Sequence, residues 1–226
     1  MSTTEEAFSV TVNESTISAL FAEPVDPLAT VVVAHGAGAG MHHPFLSGFS
    51  TALNNLGLST LRFNFPYMEA GKKFPDKPPA AIATWRAAMD AARDRSSDRG
   101  VFATGKSFGG RMASMAAAEG MDAAGLVFLG YPLHAPKRPE KLRDEHLYGL
   151  ELPMLFLQGT RDPFARQGEL EAVVGRIGPH AKLDWFEGGD HSFKVAWSKR
   201  TTAQDGELLA APVSAFVRAN SRTVAG

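Results

Sequence analysis

The chain contains no cysteine, which excludes disulfide bridges, thiolate metal sites and a cysteine nucleophile. It has no apolar run near the ~20 residues that a membrane-crossing helix needs. Met1 to Glu6 carry two acids and no basic, apolar leader, so a cytoplasmic protein is expected. Excess charge of either sign is also lacking: Lys and Arg total 23 against 24 Asp and Glu, a formal net charge of -1. Such a balance gives no overall field for nucleic acid or an anionic membrane, and a small neutral or modestly charged ligand fits it better. Ser/Gly linkers and internal repeats are missing too. A length of 226 residues at 44% apolar content suffices for one sizeable core, and residues 1–226 are read as a single domain.

What is present is an alternation of apolar runs and amphipathic segments. Alternating residues at 8–12 and 17–21, joined by Asn13-Glu14-Ser15, predict an N-terminal hairpin. Ala29 to Ala34, Ser59 to Phe65, Val101 to Thr104, Gly125 to Leu129, Met154 to Leu157 and Ala181 to Phe186 read as strands, most of them continuous apolar runs suited to a sheet covered on both faces. Helical spacing marks 45–56, 80–95, 109–119 and 167–177, and a closing helix over 207–219 that Pro212 is expected to interrupt. Repeated strand–helix units after a hairpin predict an α/β fold with a mainly parallel central sheet, an antiparallel hairpin at its start and helices on both faces. Between Tyr131 and Pro153 there is room for one short helix, near 139–147, and none for a large cap domain. Ligands of such sheets sit at the carboxyl ends of the strands.

Three loops at that edge carry chemistry. Gly105-Lys106-Ser107-Phe108-Gly109 fits a G-x-S-x-G nucleophile elbow between a strand and a helix. The glycines let neighbouring segments approach a sharply turned serine. The overlapping Gly100 to Ser107 also matches the G-x-x-x-x-G-K-[ST] phosphate loop, but its four variable positions are themselves the predicted strand, which argues against nucleotide binding. A serine hydroxyl needs a base, and the base an orienting acid. Asp162 follows the strand ending near Leu157, and His191 follows the strand ending at Phe186, so the order is Ser107, Asp162, His191. Asp190 is the rival acid, poorly placed to reach the far nitrogen of its own neighbour and better suited to stabilising a turn. The glycine-rich His35 to Gly40 follows the first central strand, where the Ala37 N–H, with Gly38 as the alternative, and the Phe108 N–H can serve as oxyanion donors. His35 is expected to brace that loop. His42, Asn64, Tyr67, Met68 and Phe74 are the positional candidates for a substrate pocket. Arg111 is expected to pair with a nearby carboxylate, and Trp85, Trp185 and Trp197 to serve packing. The histidine spacing fits no zinc motif, so no metal and no cofactor are expected.

The segments Ala34-His35-Gly36-Ala37-Gly38-Ala39, Gly105 to Arg111, Leu129-Gly130-Tyr131-Pro132, Gln158 to Phe164 and Gly189-Asp190-His191-Ser192-Phe193 together resemble the α/β-hydrolase family related to testis-expressed hydrolase-like proteins and dienelactone hydrolases. The resemblance spans roughly residues 31–194. It implies the α/β-hydrolase fold and a serine hydrolase with Ser107, Asp162 and His191 as triad. Dienelactone hydrolases proper carry a cysteine nucleophile, from which Ser107 departs. The expected activity is that of a carboxylesterase on small ester or acyl substrates, and the same machinery also serves thioesters and peptides. The competing reading from another class is a non-catalytic binding or scaffold protein that keeps the fold. The expected partner is a small-molecule acyl substrate, with no nucleic acid and no membrane.

Overall fold

The continuous apolar runs become the middle of one sheet because a strand with both faces covered can carry apolar side chains in both directions. In a computed structural model residues 3–96, 100–136 and 138–221 are described. Met1 and Ser2, at the start expected to carry no leader, lie outside them. Among the described residues eight strands, β1 (Glu5–Val12), β2 (Ser15–Ala22), β3 (Thr30–Ala34), β4 (Ser59–Phe63), β5 (Val101–Lys106), β6 (Leu126–Leu129), β7 (Met154–Gly159) and β8 (Ala181–Phe186), form a single sheet in the order β1-β2-β4-β3-β5-β6-β7-β8. The β1–β2 hairpin joins β4 antiparallel, and every pairing from β4 to β8 is parallel.

Among the described residues seven α-helices surround it: α1 (Pro44–Asn55), α2 (Pro66–Glu69), α3 (Pro78–Arg93), α4 (Phe108–Ala118), α5 (Gln167–Ile177), α6 (Thr202–Glu207) and α7 (Ala210–Asn220). Alternation along β3 sorts the two layers. Val32 and Ala34 face a core that includes Trp85 and Met89 of α3, Met112 of α4 and Leu170 of α5. Val31 and Val33 face Phe49 and Leu53 of α1 and Val213 and Val217 of α7. Full burial of one such aliphatic or aromatic side chain is worth about 1.5–3 kcal/mol, so each layer is held by its own core.

The structure departs from the sequence reading at several points. The stretch 66–79, to which the apolar spacing assigns neither strand nor helix, opens with the short α2, where Pro66 supplies a backbone angle already suited to a first helical turn. The helix expected near 139–147 is a 3₁₀ turn, Glu145–Gly149, and among the described residues nothing larger lies between β6 and β7. Pro212 does not interrupt the last helix. It lies in the first turn of α7, where backbone N–H groups have no helical acceptor to lose, and the chain instead breaks between α6 and α7. Trp197 is 80% exposed on a segment with no helix or strand of its own, against the packing role expected for it. No described helix is long and apolar enough to cross a membrane.

Candidate active site

β5 is the fifth of the eight strands across the sheet, and its end turns directly into α4. At that turn Ser107 has φ 49° and ψ −112°, a conformation L-residues avoid at a cost of about 1–3 kcal/mol. The surroundings enforce it. A Cβ at Gly105 would lie 2.2 Å from the Gly110 nitrogen, and one at Gly109 would lie 2.7 Å from the His35 carbonyl oxygen, so α4 crosses both strands at a distance only glycine permits. The Ser107 N–H donates to the Leu129 carbonyl at 3.1 Å. From α3, the Trp85 indole N–H donates to the Gly109 carbonyl at 2.9 Å. The hydroxyl is thereby raised at the carboxyl edge of the sheet.

Asp162 and His191 come to the same edge from the loops after β7 and β8. The Ser107 hydroxyl lies 2.8 Å from His191 Nε2, and His191 Nδ1 lies 2.6 Å from Asp162 Oδ2. The carboxylate is buried, with 4% of the residue exposed, and its acceptors are filled: Oδ2 also takes the Gln158 amide at 2.7 Å, and Oδ1 takes the Phe164 N–H at 2.8 Å. With Nδ1–H given to this acceptor, Nε2 is left to accept the serine proton. The Phe164 ring covers the imidazole at 4.2 Å between centroids. Burial pushes the His191 pKa below its ordinary value, the Asp162 hydrogen bond opposes that, and the Lys106 charge adds to the lowering. Asp190, the rival acid, is exposed and spends Oδ1 on the Ser192 and Lys194 N–H groups at 2.8 and 3.0 Å.

The glycine loop after β3 faces this group. Ala37 is exposed, and neither its N–H nor that of Phe108 meets an acceptor among the described residues. The alternative donor, Gly38 N–H, is already given to the Tyr67 hydroxyl at 3.2 Å. His35 is buried. Its Nδ1–H donates to the Gly36 carbonyl at 2.8 Å, Nε2 accepts from the Phe65 N–H at 3.1 Å, and burial holds its pKa down to about 4. It is thus a neutral brace between the loop and the segment after β4.

Residues 27–218 match the family of alpha/beta hydrolase domains. The chain belongs to that family. Its fold is similar to that of a dienelactone hydrolase from Anabaena variabilis, with a TM-score of 0.79 at 21% identity over 98% of this chain and 100% of that one. A lidless α/β serine hydrolase from Xanthomonas campestris gives a TM-score of 0.76 at 18% identity over 98% and 97%. An esterase from Pyrococcus furiosus gives 0.78 at 16% over 96% and 92%.

The other sequence candidates divide around the glycine loop of this α/β hydrolase. Asn64 Oδ1 accepts the Met41 N–H at 2.8 Å. Tyr67 is buried, holds Gly38 and donates to the Gly36 carbonyl at 3.4 Å. The Met68 methyl lies 3.5 Å from where a Gly40 Cβ would stand. These three support the loop that carries Ala37. His42 is exposed and Phe74 is 84% exposed, and no contact joins either to the serine. Arg111 meets no carboxylate among the described residues. Its buried Nε has no acceptor, and its neighbours are the Tyr131 and Arg143 side chains, so the expected ion pair does not form. Sequence reasoning did not single out Gln158, Phe164, Gly130 or Lys106, although all four stand inside the motifs quoted for the resemblance.

Proposed function

We propose that the protein is a serine hydrolase, a carboxylesterase acting on small ester or acyl substrates, with Ser107 as nucleophile, His191 as base and Asp162 as the acid that orients it. The observation that carries this reading is the unbroken hydrogen-bonded chain from the Ser107 hydroxyl through both nitrogens of His191 to a buried carboxylate. A serine alone is a weak nucleophile, and this chain supplies what activates it.

As Ser107 Oγ bonds to the substrate carbonyl carbon, its proton passes to His191 Nε2. The carbonyl π electrons move to oxygen, and the Ala37 and Phe108 N–H groups receive that oxyanion. Its collapse breaks the bond to the leaving alcohol, which takes the proton from Nε2 and leaves an acyl-serine. Water then repeats the sequence, giving its proton to His191 and its oxygen to the acyl carbon, and the acid departs with Ser107 restored. Two donors aimed at the oxyanion are worth having, since loss of one costs about 3 kcal/mol in such sites. Among the described residues the segment between β6 and β7 holds only a 3₁₀ turn and no large cap over the serine, which suits compact, freely diffusing esters.

The test is covalent labelling by a fluorophosphonate, followed by intact mass, in the parent and in Ser107→Ala and His191→Ala. One adduct on the parent and none on either folded variant supports the reading. A folded parent that takes no fluorophosphonate and turns over no p-nitrophenyl acetate or butyrate would sink it in favour of a binding role.

A further inference from the structure

The residue before the proposed nucleophile is a lysine, half-buried, with its side chain turned toward the histidine loop. Lys106 ends β5 and is paired in register with Leu129 of β6. Its Nζ donates to the His191 backbone carbonyl at 2.5 Å and stands 5.7 Å from the centre of the Phe193 ring. Room for this contact is made by Gly130, at φ 73°, where a Cβ would lie 3.2 Å from Nζ, 3.3 Å from the His191 carbonyl oxygen and 3.4 Å from His191 Nδ1. Three chain segments, from the ends of β5, β6 and β8, thus meet at one ammonium group.

We propose that Lys106 is a positioning residue for His191: it fastens the histidine loop to the nucleophile strand, and its charge keeps the imidazole neutral and able to accept the Ser107 proton. This rests on the reading of His191 as the base.

Two observations support a role beyond filling space. The loop it holds departs from ordinary backbone at Phe193, with φ 63°, so it is not a segment that would settle there unaided. The electrostatics also have a definite sign. His191 faces Asp162 by hydrogen bond and Asp190 by charge, and both favour the imidazolium, whereas Lys106 is the cation that opposes it. Lys106 is itself desolvated, which lowers its pKa to about 8 against the opposing pull of Asp162 and Asp190. At neutral pH it is therefore still mainly charged and acts on the imidazole through a poorly hydrated medium, where charges interact more strongly than in water. Removing the cation leaves burial alone to oppose the two carboxylates that act on His191. The imidazole then holds its proton to higher pH and loses its place over the serine.

The decisive experiment compares Lys106→Met, Lys106→Gln and Lys106→Arg with the parent by two readouts. The first is the His191 titration followed by NMR on histidine-labelled protein, which requires no substrate. The second is the pH profile of kcat/KM on p-nitrophenyl acetate, whose acid limb reports the base of the free enzyme. The Met and Gln variants should raise the His191 midpoint by about half a pH unit or more and move the acid limb with it. At pH 7 the Met variant should lose about tenfold in kcat with little change in KM, because the base and not the substrate contact is displaced. The Arg variant, which retains the charge, should keep the midpoint near that of the parent. An unchanged His191 midpoint in folded Met and Gln variants overturns the proposal. If the Met variant does not fold, the Gln and Arg variants decide, and equal midpoints in those two overturn it. A parent that hydrolyses no ester defeats the hydrolase reading instead, and the NMR titration still answers for Lys106.

Discussion

Replacing Asp162 by Asn tests the proposed chemistry most severely, because the surroundings of the carboxylate leave the amide no comfortable orientation. Every neighbour of Asp162 is a donor: Phe164 N–H at Oδ1, and the Gln158 amide and His191 Nδ1–H at Oδ2. Placing the new NH₂ at the Oδ1 position sets it against Phe164. Placing it at Oδ2 sets it against Gln158 and makes His191 Nδ1 accept, which moves the imidazole proton to Nε2 and leaves nothing to take the serine proton. Gln158 cannot simply turn over to relieve the conflict, because its Oε1 already accepts the Tyr131 N–H at 2.7 Å. Whichever way the amide settles, one buried donor loses its acceptor, at about 1–3 kcal/mol of stability. In the second orientation the wrong tautomer costs on the order of 10⁴ in kcat, equivalent to about 5 kcal/mol in the barrier, and in the first the imidazolium that forms still loses its countercharge. The assay is kcat/KM on p-nitrophenyl butyrate together with a thermal melt, run beside Asp190→Asn, which should retain most activity because its carboxylate serves its own turn. Reasoning of this kind is refuted if Asp162→Asn stays within tenfold of the parent, and Asp190 becomes the acid if its variant is the one that fails.

Two further outcomes follow from groups around the site. Tyr67→Phe removes the hydroxyl that joins Gly38 to Gly36; it should lower kcat about tenfold while costing about 1 kcal/mol of stability, read by ester kinetics and by chemical denaturation, and an unchanged kcat would mean that the loop is held without it. His35 and His146 are both held down to about 4, chiefly by burial; the unfolded chain therefore takes up protons below pH 6.5 that the folded chain refuses, so stability should be full above that pH and fall as pH drops from 6.5 towards 4. The melting temperature measured across that window should fall less steeply in His146→Gln than in the parent, and parallel curves would contradict the assignment.

Much of the architecture was legible because burial writes itself into composition. Runs such as Val31-Val32-Val33 and Leu155-Phe156-Leu157 state a strand covered on both faces, and α5 and β8 carry boundaries that the spacing of apolar residues gives directly. Ser107, Asp162 and His191 could be singled out because each follows a strand and the order restricts the choice, and the structure brings the three within hydrogen-bonding reach. Other features leave no periodic signal. Pro212 looks the same in sequence whether it breaks a helix or starts one, and only the turn between α6 and α7 decides. Phe74 is a pocket candidate by its position in the chain, yet it stands 84% exposed. Lys106 and Gly130 matter through a meeting of segments that are distant in the chain, and local pattern cannot express such a meeting.

The strand order has a consequence for how the protein can fail. Ser107 is carried by an interior strand enclosed on both faces, while His191 hangs from β8, which ends the sheet, pairs only with β7 and is only half-buried along its length. Edge segments open at lower free energy than the centre of a sheet. A fluctuation that peels β8 away, loosening α5 with it, withdraws the proposed base and leaves the elbow, its strained serine and the helices over the central strands standing. The molecule then has a folded silent state short of unfolding, reached and reversed by one strand, and heat should extinguish its chemistry at a temperature where most of its core is still intact.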